Sequence, residues 1–203
     1  MTLEAFRARR AESKRAAVLD AAETLFCKDG FVRTNMEKVA KEADVSTATL
    51  YRYFSNKEQL FDAVADRGME KLQLDMSNVA SGLSPLEALA IAYARFLSEP
   101  KTRSLFRMIV AECGRDDDLA DRFYTAFKSK LSALFVGAVL DGIKAGELQK
   151  ADEPENAAGQ LQGMIEHGTI MRGLVRGDTV GSVDEAEATA KTALQTWLSH
   201  WRA

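Results

Sequence analysis

Apolar residues recur at three- and four-residue intervals along most of the chain, and no period-two alternation lasts long enough to make a strand. The pattern predicts an all-α protein. Its most informative stretch runs from Thr34 to Phe61. There Met36, Val39, Ala40 and Ala43 fall at i, i+3, i+4 and i+7, one face of a short helix. A polar break, Glu42-Ala43-Asp44-Val45, follows, and a second helix starts at Ser46 with Leu50 and Phe54 one turn apart, facing the first. A third opens at Ser55, where Ser55-Asn56-Lys57-Glu58 fits a capping box. Two short helices joined by a tight turn, with a third stacked behind, form a helix-turn-helix.

The flanking segments are helical by the same criterion. A first helix begins in the arginine-rich head, buries Val18, Ala22, Leu25 and Phe26, and stops at Gly30. Phe31 and Val32 cross to a cap at Thr34 or Asn35, and Thr34 with Glu37 fits a second capping box. The helix from Lys57 runs to about Met76; Gly68 near its middle costs about 1 kcal/mol relative to alanine and marks either a flexing point or a close contact. Ser84-Pro85-Leu86-Glu87 starts the next helix, striped by Leu86, Leu89, Ala90, Tyr93 and Leu97. Another follows Pro100 and ends near Cys113-Gly114. Asp116-Asp117-Asp118 opens a longer one carrying Leu119, Phe123, Phe127, Leu131, Leu134 and Phe135. From Pro154 to about Arg176 the helix holds Gly159, Gly163, Gly168 and Gly173, and the last helix, Val183 to Trp201, aligns Leu194, Trp197, Leu198 and Trp201. The chain is expected to divide into a three-helix head, residues 1–56, and a helical body, residues 57–203.

The outer face of the second helix of the pair is chemically unusual. Thr47, Ala48, Tyr51 and Arg52 lie away from Leu50 and Phe54, with Thr49 and Tyr53 on the flank. A merely solvated face would carry Lys and Glu at i, i+4. Hydroxyls, a small residue, phenols and a guanidinium can instead meet phosphates, a thymine methyl and base edges in a major groove. Net charge is −3 over 203 residues, too acidic overall to announce a nucleic-acid binder. The distribution changes the picture: residues 1–56 balance at +2 and the remainder at −5, with Arg7, Arg9, Arg10, Lys14 and Arg15 clustered. A basic head on an acidic body suits contact with DNA at one end.

VSTATLYRYFSNKEQLF resembles the helix-turn-helix signature of the TetR family of bacterial repressors, and GFVRTNMEKVAKEA is similar to the region before it. FRMIVAECGRDDDLADRFY resembles the AefR-like branch of that family. The resemblance implies a homodimer that binds a double-stranded operator and answers to a small, largely apolar effector. It carries backbone contacts to Thr34 and Asn35, groove contacts to Thr47, Ala48, Thr49, Tyr51, Arg52 and Tyr53, and a phosphate contact to Lys57. Two positions depart from the family pattern: Asp44 stands at a turn position that favours glycine, and Ala48 where glycine or proline is frequent. From family placement and helix faces, Tyr93, Phe96, Phe106, Phe127, Met164 and His167 are candidate pocket residues. Gly159, Gly163, Leu194, Trp197, Leu198 and Trp201 are candidate dimer contacts, against the plainer alternative of intrachain core.

Other chemistry finds little support. Cys27 and Cys113 sit in apolar helical runs and read as free thiols of a reducing cytoplasm. The opening MTLEAFRARRAESKRA lacks the apolar segment of a signal peptide, and no run reaches the ~18 apolar residues of a membrane span. His167 and His200 have no nucleophile motif or metal-ligand spacing around them, and no phosphate-binding glycine loop occurs. The expected state has no cofactor, no metal and no catalytic residues. Two rivals remain: a helical small-molecule binding protein whose head no longer reads DNA, and a metal-dependent enzyme using Glu112, Cys113, Glu166 and His167.

Overall fold

A computed structural model describes residues 2–79, 82–114, 116–171, 174–175 and 181–203. Among these there is no strand, and the helices follow the apolar periodicity closely. They are α1 (Leu3–Asp29), α2 (Met36–Glu42), α3 (Thr47–Tyr53), α4 (Lys57–Val79), α5 (Pro85–Ser98), α6 (Pro100–Cys113), α7 (Asp117–Phe123), α8 (Ser129–Lys144), α9 (Pro154–Glu166) and α10 (Val183–Trp201). A π turn, Tyr124–Lys128, joins α7 to α8, and a second, His167–Met171, extends α9. Gly173 and Arg176, expected to continue that helix, lie outside the described residues.

Capping explains most helix starts and corrects two of them. Asn35, not Thr34, caps α2: its Oδ1 accepts from Lys38 N at 2.9 Å. Thr34 is buried instead, and its hydroxyl donates to the Gly30 carbonyl at 2.7 Å. At α4 the expected Ser55/Glu58 box is displaced by one residue. Asn56 Oδ1 accepts from Gln59 N at 2.8 Å, and Gln59 Oε1 accepts from Ser55 N at 3.1 Å. Asparagine caps as well as serine, and with α4 starting at Lys57 it is the adjacent residue. Asp44 takes the left-handed conformation at φ 51°, which lets Val45 N reach Ala40 O at 3.0 Å and turns α2 into α3.

The chain forms two compact units, residues 1–67 with 104–123 and residues 68–103 with 124–203. The first contains the anticipated head but also the start of α4, most of α6 and all of α7. Its core is an aromatic trio, Phe26, Phe31 and Phe61, with centroids 5.4–5.9 Å apart. Val18, Leu50, Leu60, Met108, Ile109 and Leu119 close around it. Two short helices cannot bury that much apolar surface alone, and the α6 and α7 stripes supply the missing side.

In the second unit, Leu89, Tyr93, Leu97, Leu131, Phe135 and Leu161 are fully enclosed. Phe135 meets the Tyr93 ring edge-on at 5.5 Å, and Phe96 stacks on Phe127 at 5.6 Å. Gly68 serves this packing: a Cβ there would lie 3.4 Å from Phe96 Cζ. Asp117–Lys144 is long and apolar enough by composition to match a membrane span. Its apolar stripe is spent on the interior, where Leu131, Phe135 and Val139 are buried.

Candidate nucleic-acid interface

The head presents one chemically distinctive surface, the outer side of α3. Leu50 is fully buried and Phe54 nearly so, which fixes the helix's inner side. Thr47, Ala48, Tyr51 and Arg52 are exposed, with Tyr51 at 46%. A tyrosine ring left nearly half in water beside a guanidinium and a threonine gives stacking, charge and hydroxyl donors on one short face. Thr49 is half-buried and its hydroxyl pairs with Ser46 Oγ at 2.8 Å, so it works largely within the helix cap. Tyr53 is turned toward α1: its hydroxyl donates to Ala11 O at 3.1 Å, and the Arg52 guanidinium lies 5.3 Å from its ring centroid. Asn35 is exposed at the N-terminus of α2. Arg7, Arg9, Arg10 and Lys14 are exposed along α1.

Two expected backbone contacts are occupied inside the protein. Thr34 is buried with its hydroxyl committed, which leaves no donor for a phosphate. Lys57 turns inward, donating to Phe31 O at 2.8 Å and Val32 O at 3.4 Å, with its ammonium 4.3 Å from the Phe31 ring centroid. Sequence reasoning missed the group on the other side of that loop. Glu112 Oε2 accepts from Phe31 N at 2.8 Å and Val32 N at 3.2 Å. The available signal was a carboxylate at position 112, in line with Leu105 and Ile109 on the apolar stripe of α6.

The six candidate pocket residues do not come together. Tyr93, Phe96 and Phe127 are interior to the second unit. Phe106 belongs to the first, edge-on to Phe123 at 5.5 Å. Met164 is half-buried and His167 exposed, both lining a shallow groove with Gly159, Gly163, Ala188 and Thr192. The polar centre of the body is a residue not selected for this purpose. Glu166 Oε1 accepts from Tyr93 Oη at 2.6 Å, Lys128 Nζ at 2.7 Å and Gln162 Nε2 at 2.7 Å. Burial alone would raise the Glu166 pKa, but these three donors outweigh it and hold the carboxyl below its ordinary range. Burial and the neighbouring Glu166 charge push the Tyr93 phenol well above its own.

Of the candidate dimer residues, Leu194 and Trp197 are buried in the chain's own core, Trp197 donating its Nε1–H to Ala157 O at 2.8 Å. Leu198 and Trp201 are half-buried, while Gly159 and Gly163 are exposed with open space where a Cβ would stand. The three aspartates also find ordinary work. Asp116 Oδ1 accepts from Leu119 N at 3.1 Å, and Asp118 pairs with Arg122 at 2.9 Å. Glu112 and Cys113 belong to one compact unit, Glu166 and His167 to the other.

Comparison with known proteins agrees with this geometry. Bacterial regulatory proteins of the tetR family match residues 18–64, and the C-terminal domain of AefR-like transcriptional repressors matches residues 84–203. The flavonoid-responsive regulator FrrA is 30% identical, with a TM-score of 0.69 over 93% of this chain and 97% of its own. A structure described as that of a TetR-family transcriptional regulator from Mesorhizobium loti is 25% identical, with a TM-score of 0.78 over 96% of this chain and 99% of its own. The HTH-type transcriptional regulator YdeS of Bacillus subtilis, itself uncharacterized, is 27% identical over 84% of this chain and 83% of its own. The chain therefore belongs to the TetR family of helix-turn-helix transcriptional regulators, with a C-terminal domain of the AefR-like type. It is a regulator and not an enzyme.

Proposed function

We propose that the protein is a homodimeric, ligand-responsive repressor that binds a near-palindromic operator in the cytoplasm and is released by a small, largely apolar effector. The observation that carries this reading is the exposed Thr47, Ala48, Tyr51 and Arg52 face of α3, whose opposite side is closed by Leu50. Each protomer lays that face in a major groove. Asn35 and the α1 arginines supply phosphate contacts, and with them the affinity and its salt dependence. Thr34 and Lys57 act behind this surface. The Gly159, Gly163, Ala188 and Thr192 groove, continued by Leu198 and Trp201, is the face through which two protomers associate, since small residues admit a second helix closely. The effector enters the body, whose Phe96–Phe127 stack and Tyr93 favour a flat, apolar molecule; FrrA, the 30% identical relative, is named for its response to flavonoids. A tenfold loss of operator affinity needs only about 1.4 kcal/mol of differential effector binding between two states.

The test is selection of bound duplexes from a genomic DNA pool at a salt near 150 mM, where screening is realistic. Recovery of an inverted repeat supports the reading and gives the half-site spacing. Recovery of nothing above background, from protein freed of bound small molecules by refolding, overturns it and favours a binding protein with a silent head.

A further inference from the structure

We propose that Glu112 and Lys57 are positioning residues that clamp the Gly30–Val32 loop from two sides and so set the direction in which α2, and through it α3, leaves α1. The proposal rests on the regulator reading above, because its consequence is felt in DNA binding.

The loop needs such partners. Phe31 and Val32 lie between α1 and α2, where no helical ladder satisfies their peptide groups. Glu112 Oε2 takes both N–H groups, at 2.8 and 3.2 Å, and Lys57 Nζ takes both carbonyls, at 2.8 and 3.4 Å. The two residues are thus held by an anion through their donors and by a cation through their acceptors. Charged partners make the stronger class of hydrogen bond. Gly30 makes room for the carboxylate: its φ is 88°, and a Cβ would collide with Glu112 Oε1.

The clamp has a short path to the DNA-facing surface. The carbonyl of Gly30 is held by the Thr34 hydroxyl, Asn35 caps α2 one residue later, and the left-handed Asp44 joins α2 to α3. The Phe31 ring packs on Phe26 and Phe61 at 5.5 and 5.4 Å, so the loop is anchored at its side chain as well as its backbone. Each link is rigid and short. A loop released from Glu112 would leave two N–H groups without their partner and let the entry angle of α2 vary.

The test combines residue-level amide exchange with operator binding in the full-length protein. In Glu112→Ala, exchange at Phe31 and Val32 should rise about tenfold while α5 and α8 amides are unchanged. Affinity for the selected inverted-repeat duplex should fall by about the same factor. Glu112→Gln keeps a carbonyl acceptor of equal reach and should lose only about threefold in each. That rescue separates positioning from a general loss of structure, and it carries the test if the alanine variant does not fold. Unchanged exchange at Phe31 and Val32 in a folded variant overturns the clamp. Faster exchange with wild-type affinity overturns the positioning role. A wild-type chain that retains no duplex overturns the regulator reading, and the exchange data still decide whether the clamp exists.

Discussion

The two compact units each carry a glutamate on the apolar side of a helix, and they use it differently. Glu112 accepts two backbone N–H groups of a loop 80 residues away in sequence. Glu166 accepts from three side chains, Tyr93, Lys128 and Gln162. Backbone donors fix the path of the chain. Side-chain donors fix one another, and because one of them is a cation they also fix the protonation state of the acid. The head therefore spends its carboxylate on geometry, and the body spends its own on a charged centre within an aromatic interior.

The contrast can be broken at several points, and the largest effect is expected at Glu166. In Glu166→Ala the Tyr93 hydroxyl, buried in the core, loses its acceptor, and stability should fall by about 2 kcal/mol. Thermal unfolding would register this as a drop of roughly 4–8 °C. Next in size is Tyr51→Ala, which should weaken operator binding about tenfold in a gel-shift titration while leaving thermal unfolding unchanged. Phe96→Leu would break the Phe96–Phe127 stack and lower stability by about 1 kcal/mol in urea unfolding.

Acid sharpens the same comparison. The folded Glu166 carboxyl is held below its ordinary range, so its contribution is fully present above the unfolded-state value and is lost as pH falls through the folded one. Unfolding free energy in urea, followed from neutral pH downward, should decline across that window. Glu166→Gln should flatten the decline, and an unchanged profile in that variant would refute the assignment. The smallest effect is at the α2–α3 turn. Asp44 holds a left-handed conformation at a modest cost, and Asp44→Gly should raise stability by about 0.5 kcal/mol in the same experiment.

Local pattern made most of the architecture legible. The i, i+3, i+4 stripes placed α2, α3, α5 and α10, and Ser84-Pro85 and Gly30 marked a start and a stop that the structure reproduces. The outer face of α3 was legible for the same reason, since burying Leu50 determines what is left outside. What could not be read were contacts made across long sequence separations. Nothing near Lys57 says that its ammonium turns to carbonyls 25 and 26 residues earlier. Nothing near Phe106 says that it packs on Phe123 while Phe96 packs on Phe127. Trp197 sits on the same stripe as Trp201, but only the packing of α10 decides that one is core and the other half-exposed.

The π turn at Tyr124–Lys128 has a consequence for how such chains can change length. Leu119, Phe123, Phe127, Leu131 and Phe135 recur every four residues, and an α-helix overshoots that spacing by about 40° at each step. A wider turn takes up the excess, and it amounts to one inserted residue. Removing a residue there would restore α geometry and rotate everything from Ser129 onward by about 100°, carrying Leu131, Phe135 and Val139 out of the interior together. Descendants of this chain can therefore gain or lose a residue in its loops freely, but within this turn only by rewriting the apolar phase of the whole helix that follows.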